Sequence, residues 1–445
     1  MINVSKLRFR QLYVPILIEQ LFMMLMTQID VLMLSAYDTK AIAVSGINTQ
    51  LMMLLTFIIT VIHVGVSIRL VHQKAYEVSE LKSEIYHSLT LNFVFSILIS
   101  LIAHFTYHKM LIFMHVPQEI FEITYQFGVV FLWGFGITTT QMLVSSLLRI
   151  LNLAHIAAQT TIGMNIINIV LNYLVLFVFV DYFGQPILAV AIATLITRML
   201  GMFYAGYHLI KMYRPQLKNF KLNRFKSKKV LSLGLPGAGE QISYHFAQTI
   251  MVAFLAIIGT EVVASKTLAV AMSNVSFCVV MAYSMASQIY LGKLMARKKF
   301  TVLTKSVHRG LVINATRSVV IMTTLVGVFY MLGRYFIDET VFHFTVLYLC
   351  CFILLEPIRA VNNYIVDLLN ITGDVRYPVC INIITTWCLL IPISYFVSMR
   401  LGWGYTGMIF TNIFEESIRF FLMLRRWHKG RWKLKLSKIG VGAHV

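Results

Sequence analysis

The chain has 445 residues, 58% of them hydrophobic and only 13% charged, with a mean hydropathy of +0.76. Soluble domains carry roughly 25% charge, so this composition excludes a water-soluble fold, which could not cover so much apolar surface. The formal net charge of +20 raises nucleic-acid binding as a possibility, but the placement of the basic residues argues against it.

A helix needs about 20 mainly apolar residues to cross the hydrocarbon core of a bilayer. Such stretches lie near residues 12–34, 46–70, 87–106, 125–148, 157–180 and 186–209, and again near 232–258, 264–290, 310–333, 341–369, 377–399 and 404–424. The sequence therefore predicts an all-α membrane protein with twelve transmembrane helices. Several stretches exceed the minimum, which predicts tilt or kinks. The alternation of a membrane β-barrel is absent. Met1–Arg10 leads into a full-length apolar stretch without a small-residue cleavage site, which predicts a retained helix rather than a signal peptide.

Basic residues gather in alternate loops. The clusters are Lys6, Arg8 and Arg10; Arg69, Lys74 and Lys82; eight residues from Lys211 to Lys229; six from Lys293 to Arg309; and seven from Arg425 to Lys438. The intervening loops carry only Lys40, Lys109, Lys266, Arg334 and Arg400. This is the positive-inside bias, and it predicts a multi-pass protein of the cytoplasmic (plasma) membrane with both termini cytoplasmic. Attraction to anionic lipid is the simpler use of these charges, so membrane lipids are expected partners and nucleic acid is not. The cysteines Cys278, Cys350, Cys351, Cys380 and Cys388 fall in or beside apolar spans without metal-ligand spacing, so neither a metal site nor a disulfide is expected.

The basic segment Lys211–Lys229 is the only long polar connection, and the chain repeats about it. Pro15-Ile-Leu-Ile-Glu19-Gln20 is answered by Pro236-Gly-Ala-Gly-Glu240-Gln241, at an offset of 236 − 15 = 221. The same offset sets Leu148 on Leu369 and Ile150 on Ile371, each where the fourth helix of its half ends. The expected division is a six-helix lobe over 1–210, a basic linker over 211–229, a second six-helix lobe over 230–430 and a basic tail over 431–445. Both halves begin in the cytoplasm, so the repeat is parallel, an arrangement suited to alternating access.

A charge inside a span costs several kcal/mol, roughly 2.5–3.5 on insertion scales, and marks function by default. The candidates are Glu19, Asp30, Glu240, Glu356 and Asp367, with Glu415, Glu416 and Arg419 in the last span. Asp30 favours function. Glu19 is balanced between structure and function. Glu240 follows Pro236 and Glu356 precedes Pro357; proline frees a backbone carbonyl, and a carboxylate beside free carbonyls suits a cation. The bland alternative for Glu356 is an i, i+3 pair with Arg359. Asp367 and the Glu415/Arg419 i, i+4 pair read as structural. Asn165, Asn168 and Asn172 on the fifth helix, and Thr194 and Arg198 on the sixth, are accounted for by interhelical hydrogen bonds or, with Asp30, by an oxygen-rich cation site. His63 and His245 read as hydrogen-bonded packing residues, with titration as the alternative. The Met and Phe residues are mainly core or lipid-facing, although a Met-rich cavity tolerates varied ligands. The chain has no phosphate loop, HExxH or GxSxG, so no catalytic residue or cofactor is expected and energy must come from a gradient.

These residues resemble a known family. The opening Pro15 motif with Gln28-Ile-Asp-Val-Leu-Met-Leu-Ser35 is similar to the first helix of multidrug and toxic compound extrusion (MATE) transporters. So are Glu356-Pro-Ile-Arg-Ala-Val-Asn-Asn with Leu369-Asn-Ile-Thr-Gly-Asp374-Val-Arg-Tyr-Pro378, and the end Glu415-Glu-Ser-Ile-Arg419 with Arg425-Arg-Trp-His-Lys-Gly-Arg-Trp432. The resemblance implies a monomeric two-lobe antiporter exporting small amphipathic or cationic substrates against H⁺ or Na⁺. It implies a coupling site at Asp30, Asn168, Asn172 and Thr194, in which Asn172 stands where one branch of the family has a second acid. It offers Glu240, Glu356 and Gln241 as an alternative site in the second lobe, with Pro15, Pro236 and Pro357 as kink positions. One acid among amides suits a proton better than a hard Na⁺ cage. The competing reading in the same superfamily is a flippase for lipid-linked oligosaccharide, with Arg198, Arg317 and Arg359 as pyrophosphate ligands. An integral-membrane enzyme on a lipid substrate lacks the acid, base or nucleophile cluster that it would need.

Overall fold

The computed structural model describes residues 9–71, 78–114, 116–179, 182, 184–215, 220–296, 300–335 and 338–430. The expected tail at 431–445, the segment 72–76, Lys6, Arg8, Lys218 and the basic run at 297–299 lie outside these residues.

The described chain is a succession of helices, as hydrocarbon requires of a backbone that must satisfy its polar groups internally. In order they are α1 (Phe9–Tyr37), α2 (Thr39–Val71), α3 (Val78–Phe113), α4 (Gln118–Trp133), α5 (Phe135–Ile150), α6 (Ala154–Tyr173) and α7 (Pro186–Met212). Then come α8 (Arg224–Ile258), α9 (Thr260–Ala296), α10 (Phe300–Leu332), α11 (Glu339–Ile371), α12 (Arg376–Thr385), α13 (Ile391–Tyr395) and α14 (Gly404–His428). Nine apolar stretches are long enough to cross a membrane, and α4–α5 qualifies as a pair bent by 49°. The polar-rich α8 and α14 bring the described passages to twelve. Phe105, Phe113 and Trp133 lie open on the outer surface, as expected where the solvent is lipid.

Two details differ from the apolar pattern. The fourth passage, expected as one helix over 125–148, is broken at Gly134, whose missing side chain leaves room for Leu195 of α7. The basic segment is also less of a linker than its charge suggests. Helix α7 runs to Met212 and α8 starts at Arg224, so Lys226, Lys228 and Lys229 are helical. Asn223 starts α8 by accepting hydrogen bonds from the backbone N–H groups of Phe225 (2.9 Å) and Lys226 (3.2 Å).

The chain forms two compact units, one of residues 1–70 and 75–235, the other of 71–74 and 236–445. The division falls within α8, between Leu235 and Pro236. Each unit holds six passages, and their details repeat. After α5 the chain turns through Asn152, at φ +70°, and after α11 through Gly373, at φ +79°; these residues are 221 apart. The same turn is closed by Leu153 N–H donating to Leu148 O (2.7 Å) and by Asp374 N–H donating to Leu369 O (3.1 Å), again 221 apart. Further on, a wide π-type turn at Leu174–Val178 recurs at Phe396–Arg400, now 396 − 174 = 222 residues later. Another such turn at Thr386–Leu390 accommodates the extra residue.

Within the first unit the start of α8 lies against α2, backbone to backbone. A Cβ on Gly65 would strike the carbonyl of Val230, and one on Gly234 the carbonyl of Val61. A glycine on each helix permits such an approach between membrane helices. Gly234→Ala should force the two backbones apart and cost about 1–3 kcal/mol. Thermal unfolding in detergent would show a lowered midpoint, and an unchanged midpoint would mean that this contact yields freely.

Candidate functional site

In the first unit α1 and α6 run parallel and meet through polar side chains at two levels. At the upper level Asn172 Nδ2 donates to Asp30 Oδ1 at 3.2 Å and to Asn168 Oδ1 at 3.3 Å. Asn168 Nδ2 donates in turn to Thr194 Oγ1 on α7 at 3.2 Å, and that hydroxyl donates to the Val190 carbonyl at 2.9 Å. The four residues of the expected coupling set are thus joined in one chain of hydrogen bonds. Asn168 and Asn172 are buried and Asp30 partly so. Burial without partners would be costly for each of these groups, and the stripe of asparagines one turn apart on α6 supplies those partners.

Three turns away, Glu19 is buried at 2% exposure. It accepts from Arg149 Nη1 of α5 at 2.7 Å and from Thr161 Oγ1 of α6 at 3.2 Å. The Glu19–Thr161 and Asp30–Asn172 contacts both join residues 142 apart, so one register of α1 on α6 produces both. Arg149 was not singled out from the sequence. The available signal was an arginine in the last turn of the fourth span, at the same end of the unit as Glu19.

The second unit uses the same register differently. Glu240 of α8 accepts from Asn382 Nδ2 of α12 at 2.6 Å, again across 142 residues. Glu356 pairs with Arg359 at 3.0 Å on the same helix, and Arg359 also lies 3.4 Å from Glu416. Arg419 holds Glu415 at 2.5 Å and Glu416 at 3.5 Å, Thr385 donates to Glu415, and Asn362 donates to Glu416. The alternative set is therefore not one cluster. Glu240 and Glu356 sit in separate contacts, and Gln241 is exposed. Asp367 accepts from Ser284 Oγ at 2.5 Å. Helices α1, α8 and α11 continue through Pro15, Pro236 and Pro357. His63 shares a hydrogen bond with Asn92, His245 is half-buried, and Arg317 lies over the Tyr283 ring.

A family model, MatE, matches residues 15–174 and matches again over 236–396. The chain belongs to the MATE family. Both matches open on the prolines of the repeat. The chain is 30% identical over 441 residues to the uncharacterized transporter YisQ of Bacillus subtilis, covering 94% of this chain and 93% of that one. It is 21% identical to the probable multidrug resistance protein NorM of Thermotoga maritima, covering 94% and 92%. Among solved structures it resembles an outward-facing multidrug resistance MATE family transporter of the MOP superfamily, with a TM-score of 0.81, 17% identity and 96% of each chain covered. It also resembles the Vibrio cholerae MATE transporter VcmN in its bent form, with a TM-score of 0.80, 16% identity and 97% of each chain covered. The fold is that of the MATE transporters, with two lobes, and the protein is a secondary transporter rather than an enzyme.

The Glu19–Arg149 pair generates a stability prediction. Arg149→Met should leave a buried carboxylate without its cation and cost about 3–5 kcal/mol. Adding Glu19→Gln to that variant should recover most of the loss. Thermal unfolding of the two variants checks this, and equal destabilisation in both would count against a buried ion pair.

Proposed function

We propose that the protein is an efflux antiporter for small amphipathic or cationic compounds, driven by H⁺ through Asp30, and working by alternating access in the cytoplasmic membrane with both termini inside. The observation that carries this reading is the chain from Asp30 through Asn172 and Asn168 to Thr194. It contains a single carboxylate. Amide and hydroxyl oxygens alone offer a weak cage for a bare hard cation, whereas one carboxyl is enough to carry one proton. Proton exchange at this partly buried acid also changes the local charge by one unit. In a medium of low effective dielectric that change is large enough to bias one conformation over another.

The relatives described above as multidrug transporters support the substrate class. The state of Arg359 favours export of such compounds over flipping of a lipid pyrophosphate. It is engaged by Glu356 and Glu416, so its guanidinium is not free to grip phosphate in a bidentate manner.

Asp30→Asn keeps the shape of the side chain and removes the titration. In proteoliposomes loaded with ethidium, an imposed pH gradient should drive export by the unaltered protein, while Asp30→Asn should fall to the leak of protein-free vesicles. An imposed Na⁺ gradient should drive neither. Full export by Asp30→Asn would remove Asp30 from the mechanism, and export driven only by Na⁺ would overturn proton coupling.

A further inference from the structure

The last turn of α14 carries charge that transport through Asp30 does not use. In the second unit Arg426 reaches the turn between α11 and α12 and donates twice to Asp374, from Nε to Oδ2 at 2.7 Å and from Nη2 to Oδ1 at 3.1 Å. Its guanidinium also lies over the Tyr377 ring of α12, 4.5 Å from the centroid. The Tyr377 hydroxyl donates to the Leu422 carbonyl of α14 at 3.4 Å. Asp374 is buried, so this forked pair is a fixed anchor rather than a loose surface contact.

Beside the anchor a cavity of about 270 Å³ is lined by Tyr377, Leu422, Arg425, Arg426 and Lys429. Arg426 is matched by Asp374. Arg425 and Lys429 are exposed one turn apart, and among the described residues their side chains form no ion pair. The cavity therefore sets two uncompensated cations over a floor of tyrosine and leucine. A second observation comes from the outside of the same helix. Phe410, Phe414 and Phe421 are exposed and follow one another at i+4 and i+7, and Arg425 extends that row four residues further. An exposed aromatic stripe thus runs along the span and ends at the cationic cavity.

We propose that this is a binding site for one anionic phospholipid, with its phosphate between Arg425 and Lys429 and an acyl chain along Phe421, Phe414 and Phe410. The arginine can meet two phosphate oxygens at once, and the lysine adds a point charge. Arg426 is committed to Asp374 and contributes shape and field. A free phosphate would use the cations and leave the aromatic stripe bare, whereas a zwitterionic lipid would use the stripe and carry its own cation into the cavity. Only an anionic amphiphile satisfies both surfaces. On the positive-inside orientation the site faces the cytoplasmic leaflet. A lipid held there braces the end of α14 against α12. The assignment is independent of the coupling role given to Asp30.

The test needs neither transport nor a gradient. Purified full-length protein in nonionic detergent is titrated with phosphatidylglycerol, or with phosphatidylcholine of the same chains, and the bound lipid is read by native mass spectrometry. The unaltered protein should bind phosphatidylglycerol in preference. The double variant Arg425→Gln with Lys429→Gln should bind it about ten-fold or more weakly, the factor expected from removing two cations at a headgroup. Lys228→Gln with Lys229→Gln removes two exposed lysines from α8 and should bind as the unaltered protein does. Without lipid all three should unfold at the same temperature, and inorganic phosphate should not compete. Equal affinity for the two lipids would overturn the proposal, as would equal weakening in both double variants or none in the first. Displacement of the lipid by comparable concentrations of inorganic phosphate would make this a free-anion site instead. A lowered lipid-free midpoint in the Arg425, Lys429 variant would assign these side chains to the fold and not to a ligand.

Discussion

The constraint on which the rest of this structure depends is the cost of a charge inside hydrocarbon. A membrane helix gains nothing from burying a carboxylate and loses several kcal/mol unless other groups meet it. Each acidic side chain in the spans of this protein is therefore also evidence about its neighbours. Asp30 is met by an amide, Glu19 by an arginine and a hydroxyl, Glu240 by an amide, and Glu415 and Glu416 by arginines. The helices pack so that these partners arrive, and the parallel register of α1 on α6 follows from satisfying two acids at once.

Both halves use ion pairs and neutral partners, but in different places. In the first, the acid that carries the proposed function is met by the amide of Asn172, itself bonded to Asn168. In the second, five charged residues, Glu356, Arg359, Glu415, Glu416 and Arg419, are bound to one another at short range. Tightly paired charges resist titration and fix local geometry, whereas a loosely partnered carboxylate can gain and lose a proton at small structural cost.

Much of this was legible in the sequence, for physical reasons. The repeat was readable because Pro15 and Pro236 open matching motifs and because Leu148 and Leu369, near the ends of the fourth helices, keep the same offset; the left-handed turns at Asn152 and Gly373 that follow came only from the structure. The Asp30 set was readable because i, i+4 spacing puts Asn168 and Asn172 on one face. The break at Gly134 was not, since a glycine within an apolar run also fits a straight helix and only the packing of Leu195 decides. The turn at Thr386–Leu390 was hidden because an apolar run with one extra residue per turn has no residue signature that separates it from an α-helix. The partners Arg149 and Asn382 were missed because the join of α5 to α1, and of α12 to α8, is a property of packing rather than of spacing along one helix. Glu240 and Glu356 were grouped by residue type and by a neighbouring proline, and the structure gives them separate partners.

The proposed coupling is one group exchanging one proton, and infrared difference spectroscopy observes that exchange directly. A pH jump on the purified protein should produce a protonated-carboxyl band that is lost in Asp30→Asn and kept in Glu240→Gln and Glu356→Gln. A band that persists in Asp30→Asn and vanishes in either of the others would contradict the account and move the coupling proton to the second unit.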